Sequence, residues 1–259
     1  MTPTSTAQAL KAVRPGWVFA CLVIAAVFGV VMLIQSGFES NTTAKTGTVL
    51  FVLAGWVISL SLHEFAHALT AYRFGDTSVD ARGYLTLDPL KYTHPGLSIG
   101  LPVLIILMGG IGFPGGAVYL HTRGFTKVQK SIVSLAGPFT NLVLGALLLG
   151  SLHFIDDATK PNLANAIAFL GFLQITATIL NIIPIPGFDG YGAIEPYLSS
   201  GMRRTADKIA PYGFLIVFVL IFIPAVGQAF FDVIYDVVGL FGTPWEMIAA
   251  GRDQFMFWR

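Results

Sequence analysis

Charged side chains are scarce in this chain: 11% of its 259 residues are Asp, Glu, Lys or Arg, against about 25% in an ordinary soluble domain. With 54% hydrophobic residues there is too little polar surface to clothe a water-soluble fold, and the expected solvent is a lipid bilayer. A formal net charge of +1 supplies no basic field for a phosphate backbone, so nucleic acid is excluded as an expected partner. Cysteine is nearly absent. Cys21 stands alone, no intramolecular disulfide can form, and inside an apolar run it reads as a small lipid-facing or packing side chain. Internal repeats, low-complexity tracts and any linker long enough to join a second globular domain are also missing. One membrane-embedded domain over residues 1–259 is expected, with residues 1–14 disordered. Residues 243–259 read as an interfacial tail, because Trp245, Phe255, Phe257 and Trp258 with Arg252 and Arg259 have the composition of an aromatic belt.

What the chain does have is long apolar runs. Those at residues 17–34, 48–72, 131–153, 163–183 and 211–227 have about the length that crosses hydrocarbon. Residues 228–241 suggest a sixth passage, tilted or short, with Asp232 and Asp236 on one polar face. Lys11 and Arg14 precede the first run as in a signal peptide, but the run is long and no small-x-small cleavage site follows, so a retained anchor is expected. The apolar run 95–116 is crowded with Pro and Gly, which argues against a straight helix. Its flanks carry Arg73, Arg82 and Lys91 on one side and Arg123, Lys127 and Lys130 on the other. The positive-inside rule puts both in the cytoplasm, so the run should enter the membrane and return. The same rule puts Lys11, Arg14, Arg203, Arg204 and Lys208 inside, and leaves Asp156 and Asp157 outside. Weak alternation at 75–87 and again at 117–121 suggests strands. The fold class expected is therefore an α-helical polytopic membrane protein of about six transmembrane helices, with a re-entrant segment and a small β-element.

The second run carries His63-Glu64-Phe-Ala-His67. Residues four apart on a helix share a face, so His63 and His67 can present two imidazole nitrogens to one Zn²⁺ ion. Glu64, one position on, is aimed at a water on the metal and can act as general base. It is also the one formally charged side chain of residues 48–72, and a carboxylate at that depth costs about 2.5 kcal/mol or more unless compensated. A metal with water supplies the compensation.

A catalytic zinc site usually takes a third protein ligand. Asn181-Ile-Ile-Pro184-Ile-Pro186-Gly-Phe-Asp189-Gly190 follows the fourth run, where prolines end regular helix. Locally, Asp189 reads equally as a turn residue at a helix stop or as a ligand held on irregular backbone. Topology favours the ligand: if 95–116 is re-entrant, the second and fourth runs cross in the same direction, and Asp189 emerges at the end of the bundle nearer the histidines. Asn141, on an apolar helix, is by itself most simply interhelical glue. His94, His121, His153 and Glu195 attract no functional reading.

Taken together, His63-Glu64-x-x-His67, Asn181-x-x-Pro184-x-Pro186-x-x-Asp189-Gly190 and the Gly137-x-x-x-Asn141 element resemble the motifs of the site-2 protease family of intramembrane zinc metalloproteases, over a core of about residues 48–200. The resemblance implies one zinc ion per chain held by His63, His67 and Asp189, Glu64 as general base, and Asn141 orienting substrate or polarising its carbonyl. It further implies that the segment 112–124 is a re-entrant β-element beside which a transmembrane substrate lies extended; the charge bias of the loops puts the active site toward the cytoplasm. No stretch matches the PDZ or paired regulatory domains of many relatives, which suggests the minimal subgroup. The competing class is a membrane ion or metal transporter, since intramembrane His, Glu and Asp also mark ion pathways.

Overall fold

The computed structural model describes residues 13–92 and 120–258, and among them all regular structure is helical. Helices α1 (Trp17–Gln35) and α2 (Thr42–Arg73) form a hairpin. Asn41 caps α2 by accepting from the Ala44 N–H at 2.9 Å, which satisfies one of the donors left over at a helix start. Short helical turns α3 (Ser78–Ala81) and α4 (Pro89–Tyr92) follow. Then come α5 (Lys127–Ser151), opened by a Thr126/Gln129 capping box, and α6 (Pro161–Asn181). Beyond them lie α7 (Asp189–Ile194), α8 (Ser200–Ile209), α9 (Gly213–Ile221), α10 (Pro224–Gly239) and α11 (Trp245–Phe255).

Four of these helical segments are long and apolar enough to cross a bilayer: α1, α2, α5 with its terminal turn to Phe154, and α6. The chain is thus an integral membrane protein of helical type. Burial ranks the spans. Within the apolar window of α6, 89% of residues are buried, against 11% for α1, so α6 is the centre of the bundle and α1 its lipid-facing wall. Cys21 is exposed on that wall.

Several expectations change here. The fifth and sixth passages are not separate spans: residues 200–221 and 224–239 are two arms bent by 94°. Pro224 starts the second arm, where its missing N–H and fixed φ end one helix and begin the next. At most five crossings result among the described residues. Asp232 and Asp236 are both exposed on α10.

The strand expected at 75–87 is instead α3 and its turns. Asp76 accepts from the backbone and hydroxyl of Ser78, a local arrangement that starts a helical turn rather than a ladder. Val79, Tyr84 and Leu85 then pack together under Ala68. Of the other expected strand and the β-element, only residues 120–124 are described, and they have no regular structure. The re-entrant run 95–116 lies outside the described residues, as does His94. Of the N-terminal residues expected to be disordered, Arg14 is docked: its N–H donates to the Leu85 carbonyl at 3.1 Å.

Residues 243–259 are not merely an interfacial tail. Helix α11 packs on α6 and α2 with Ile248 and Phe255 in the main core. Gln254 joins Thr48 and Asn162 in a buried hydrogen-bond cluster. Phe255→Ala should therefore lower stability by about 3 kcal/mol or more, as for other large-to-small core changes, seen as an earlier thermal midpoint of the purified protein. Zinc content of the folded fraction should not change, since α11 packs beside the starts of α2 and α6, far along both from the histidines.

Candidate metal centre

The C-terminal half of α2, the first half of α5 and the end of α6 meet at one end of the bundle, and α7 packs there against α5. On α2, His63, Glu64 and His67 are all buried. The chain leaves α6 at Asn181, turns through Pro184 and Pro186, and begins α7 at Asp189. Gly190 is required at this return because a Cβ there would collide with the Ile182 carbonyl. Two serines of α5 fasten the turn: Ser134 Oγ donates to the Asp189 carbonyl at 2.9 Å and Ser131 Oγ to the Ala193 carbonyl at 2.6 Å.

The result is a triangle of ligand atoms. His63 Nε2 lies 3.1 Å from Asp189 Oδ2 and 3.1 Å from His67 Nε2, and His67 Nε2 lies 3.4 Å from Asp189 Oδ1. Bonds of about 2.0–2.1 Å from a tetrahedral zinc put neighbouring ligands roughly 3.3 Å apart, so the edges of the triangle fit that ion. The tautomers fit as well. His67 Nδ1 lies 2.7 Å from the Val133 carbonyl, which can only accept, so Nδ1 carries the proton and Nε2 is left with its lone pair. His63 Nδ1 lies 2.6 Å from Asn141 Oδ1 and donates likewise. Two lone pairs and a carboxylate therefore converge on one point, which demands positive charge there. Asp189 lies beyond the span. Its two carboxylate oxygens face the Nε2 atoms of His63 and His67, so a cation between them would satisfy all three groups at once. As a carboxylate it would be the anionic member of the set.

Gly137 is the reason α5 can approach so closely. A Cβ at that position would stand 2.5 Å from His63 Nε2 and closer still to His67 Nε2, and the neighbouring Pro138 is accommodated inside the helix. Gly137→Ala should drive the imidazoles off the metal position. A fall in zinc affinity of about 10-fold or more is expected, comparable to losing an orienting partner, and competition with a chelator measures it.

Beside the triangle is a cavity of about 430 Å³ lined by Glu64, Leu120, Thr122, Lys130, Asn181 and Tyr191 among others. The Asn181 amide nitrogen is buried without a hydrogen-bond partner. His121 donates its N–H to Asp76 Oδ2 at 2.7 Å, which ties the cavity rim at 120–122 to the turn after α2. Asn141 is not on the cavity wall; its amide is engaged at both ends inside the bundle.

Over 248 residues, 96% of each chain, the sequence is 49% identical to a provisionally named zinc metalloprotease, Rip2, of Mycolicibacterium smegmatis. It is 44% identical, over the same share, to the Rip2 of Mycobacterium tuberculosis. The provisionally named zinc metalloprotease YwhC of Bacillus subtilis is 31% identical over 209 residues, 77% of this chain and 86% of its own. The chain belongs to the site-2 protease family of zinc metalloproteases. It represents the minimal form of that family, its cofactor is zinc, and His63, His67 and Asp189 are positioned to bind it. No family model matches the chain, and no solved structure does.

Sequence reasoning brought His63, Glu64, His67 and Asp189 together, and the structure juxtaposes the three ligand side chains. It passed over Ser131, Ser134 and the Val133 carbonyl. A serine on a helix carries no distinguishing pattern, and a backbone acceptor leaves no trace in residue identity. Gln174 and Ser59, polar residues in apolar spans, did leave a signal, because an amide at that depth needs a partner.

Proposed function

We propose that this protease hydrolyses peptide bonds of membrane-spanning substrates within or close to the bilayer, as one step of regulated intramembrane proteolysis. The observation that carries this reading is the depth of the site. His63 and His67 precede the end of α2 at Arg73 by ten and six residues, about 15 and 9 Å of helix rise, inside a bundle of apolar spans. A bond cut there belongs to a chain that is itself in the membrane.

His63, His67 and Asp189 would hold the zinc, which when bound would supply the Lewis acidity that makes water a nucleophile near neutral pH. Glu64, buried on the cavity wall next to His63, takes the proton of the attacking water and hands it to the leaving amine. Asn141 acts on His63 and not on substrate. The cavity of about 430 Å³ is too small for an intact helix of about 10–12 Å diameter, so the substrate enters unwound. Its freed backbone groups find partners in the non-helical rim at 120–122. The basic residues Arg73, Lys127, Lys130, Arg203, Arg204 and Lys208 gather near this end, while Asp156 and Asp157 follow the far end of α5. That asymmetry supports a cytoplasmic active site.

The test is cleavage of a single-span peptide by the protein in liposomes, with the cut position read by mass spectrometry. A cut in or next to the span is expected, abolished by chelator and restored by zinc. Cleavage confined to water-soluble peptides would contradict the proposal.

A further inference from the structure

Behind His63, away from the cavity, runs a line of buried polar side chains. Asn141 Oδ1 faces His63 Nδ1 at 2.6 Å; Asn141 Nδ2 donates to Gln174 Oε1 at 3.0 Å; Gln174 Nε2 donates to Ser59 Oγ at 3.0 Å; and Ser59 Oγ donates to the Trp56 carbonyl at 2.8 Å. Gln174 is fully buried, and Ser59, Asn141 and His63 are each about as enclosed. A glutamine in the central helix of a membrane bundle is costly unless both ends of its amide are bonded. Here both are. Gly145 on α5 lets the two helices close, since a Cβ there would stand 3.2 Å from Gln174 Cβ, and so brings the two amides together.

The line has a direction, and its far end sets it. The Trp56 carbonyl can only accept, so it takes the Ser59 proton. Ser59 Oγ then offers lone pairs to Gln174 Nε2, which turns Gln174 Oε1 toward the Asn141 amide N–H, and Asn141 is left with only its oxygen for His63. Run backwards, Ser59 would give its single proton to Gln174 and abandon Trp56, and His63 would carry its proton on Nε2, where a metal ligand needs a lone pair. One polarity serves every member and the metal at once.

We infer that Gln174 and Ser59 are positioning residues of this protease: they orient the Asn141 amide, which fixes His63 as the Nδ1–H tautomer with its Nε2 lone pair held on the zinc. This rests on reading His63 as a zinc ligand. Neither residue touches substrate or the metal. Their effect travels through hydrogen bonds behind the ligand, where loss of an orienting partner typically weakens metal affinity 10–100-fold.

The experiment uses the full chain in detergent or nanodiscs, stripped of metal and reloaded with Zn²⁺ or Co²⁺. Gln174→Leu is expected to bind zinc about 10–100-fold more weakly in chelator competition, and to shift the visible ligand-field band of the cobalt form. Ser59→Ala should move both readouts the same way by less, while Ser59→Thr, which keeps the hydroxyl, holds the wild-type values. The cobalt band separates positioning from mere stability, because a variant that only unfolds more readily keeps the band in its folded fraction. Should Gln174→Leu fail to fold, Ser59→Ala against Ser59→Thr decides. Wild-type affinity and an unmoved band in folded Gln174→Leu and Ser59→Ala would overturn the relay. Failure of the ligand reading looks different: His63→Ala would then keep the affinity of the wild type.

Discussion

Glu64→Gln is expected to leave the purified protein loaded with zinc while its turnover falls about 10²- to 10⁴-fold, the range a positioned general base contributes. The two halves of that result have separate causes. Zinc is retained because the three converging ligand atoms belong to His63, His67 and Asp189, and an amide of nearly the same shape disturbs none of them. Turnover falls because the amide cannot take a proton from water as a carboxylate does. Metal analysis beside a cleavage assay measures both. Zinc lost together with activity would move Glu64 into the ligand set and would remove it as the base.

The second large effect is expected at Asp189. Asp189→Ala should empty the site, with zinc affinity falling by more than the about 100-fold that bounds losses of outer partners, and His67→Ala should do the same. The carboxylate is the one anionic member of the triangle, with an oxygen 3.1 Å from His63 Nε2 and another 3.4 Å from His67 Nε2. Without it, two neutral imidazoles face a divalent cation alone. Asp189→Asn should also lose zinc heavily, since it keeps an oxygen but not the charge. Wild-type zinc content in Asp189→Asn would mean that the third ligand lies elsewhere.

The sites of these changes were legible in the sequence because the ligands use helical spacing and a chain reversal, both of which leave residue patterns. His63 and His67 are four apart on one helix face, and Pro184 and Pro186 mark where α6 must stop. The outer partners were less legible. Asn141 stood out as an amide among apolar residues, yet its direction, toward His63 and Gln174 and not toward the cavity, depends on how α5 rotates against α2 and α6. That rotation is fixed by close approach at Gly137 and Gly145, which no periodicity encodes.

The fold was read well where apolar runs match hydrocarbon thickness and poorly where they do not. Residues 211–241 are continuously apolar enough for one or two spans, but Pro224 turns the chain by 94°, and composition does not report a bend. At 75–87, alternation over a few residues was outweighed by the Asp76–Ser78 turn. At the C-terminus, aromatic and basic residues have the same composition whether they lie in the interface or, like Phe255, fill a core. Packing partners decide that, and they are distant in sequence.

The measurement closest to the central claim is X-ray absorption at the zinc edge of the purified protein in lipid. Two imidazole nitrogens with oxygen ligands, all at about 2.0–2.2 Å, are predicted, and one imidazole should disappear from the signal in any residual zinc-bound His67→Ala. A sulfur shell near 2.3 Å, or zinc carrying no imidazole at all, would contradict the account.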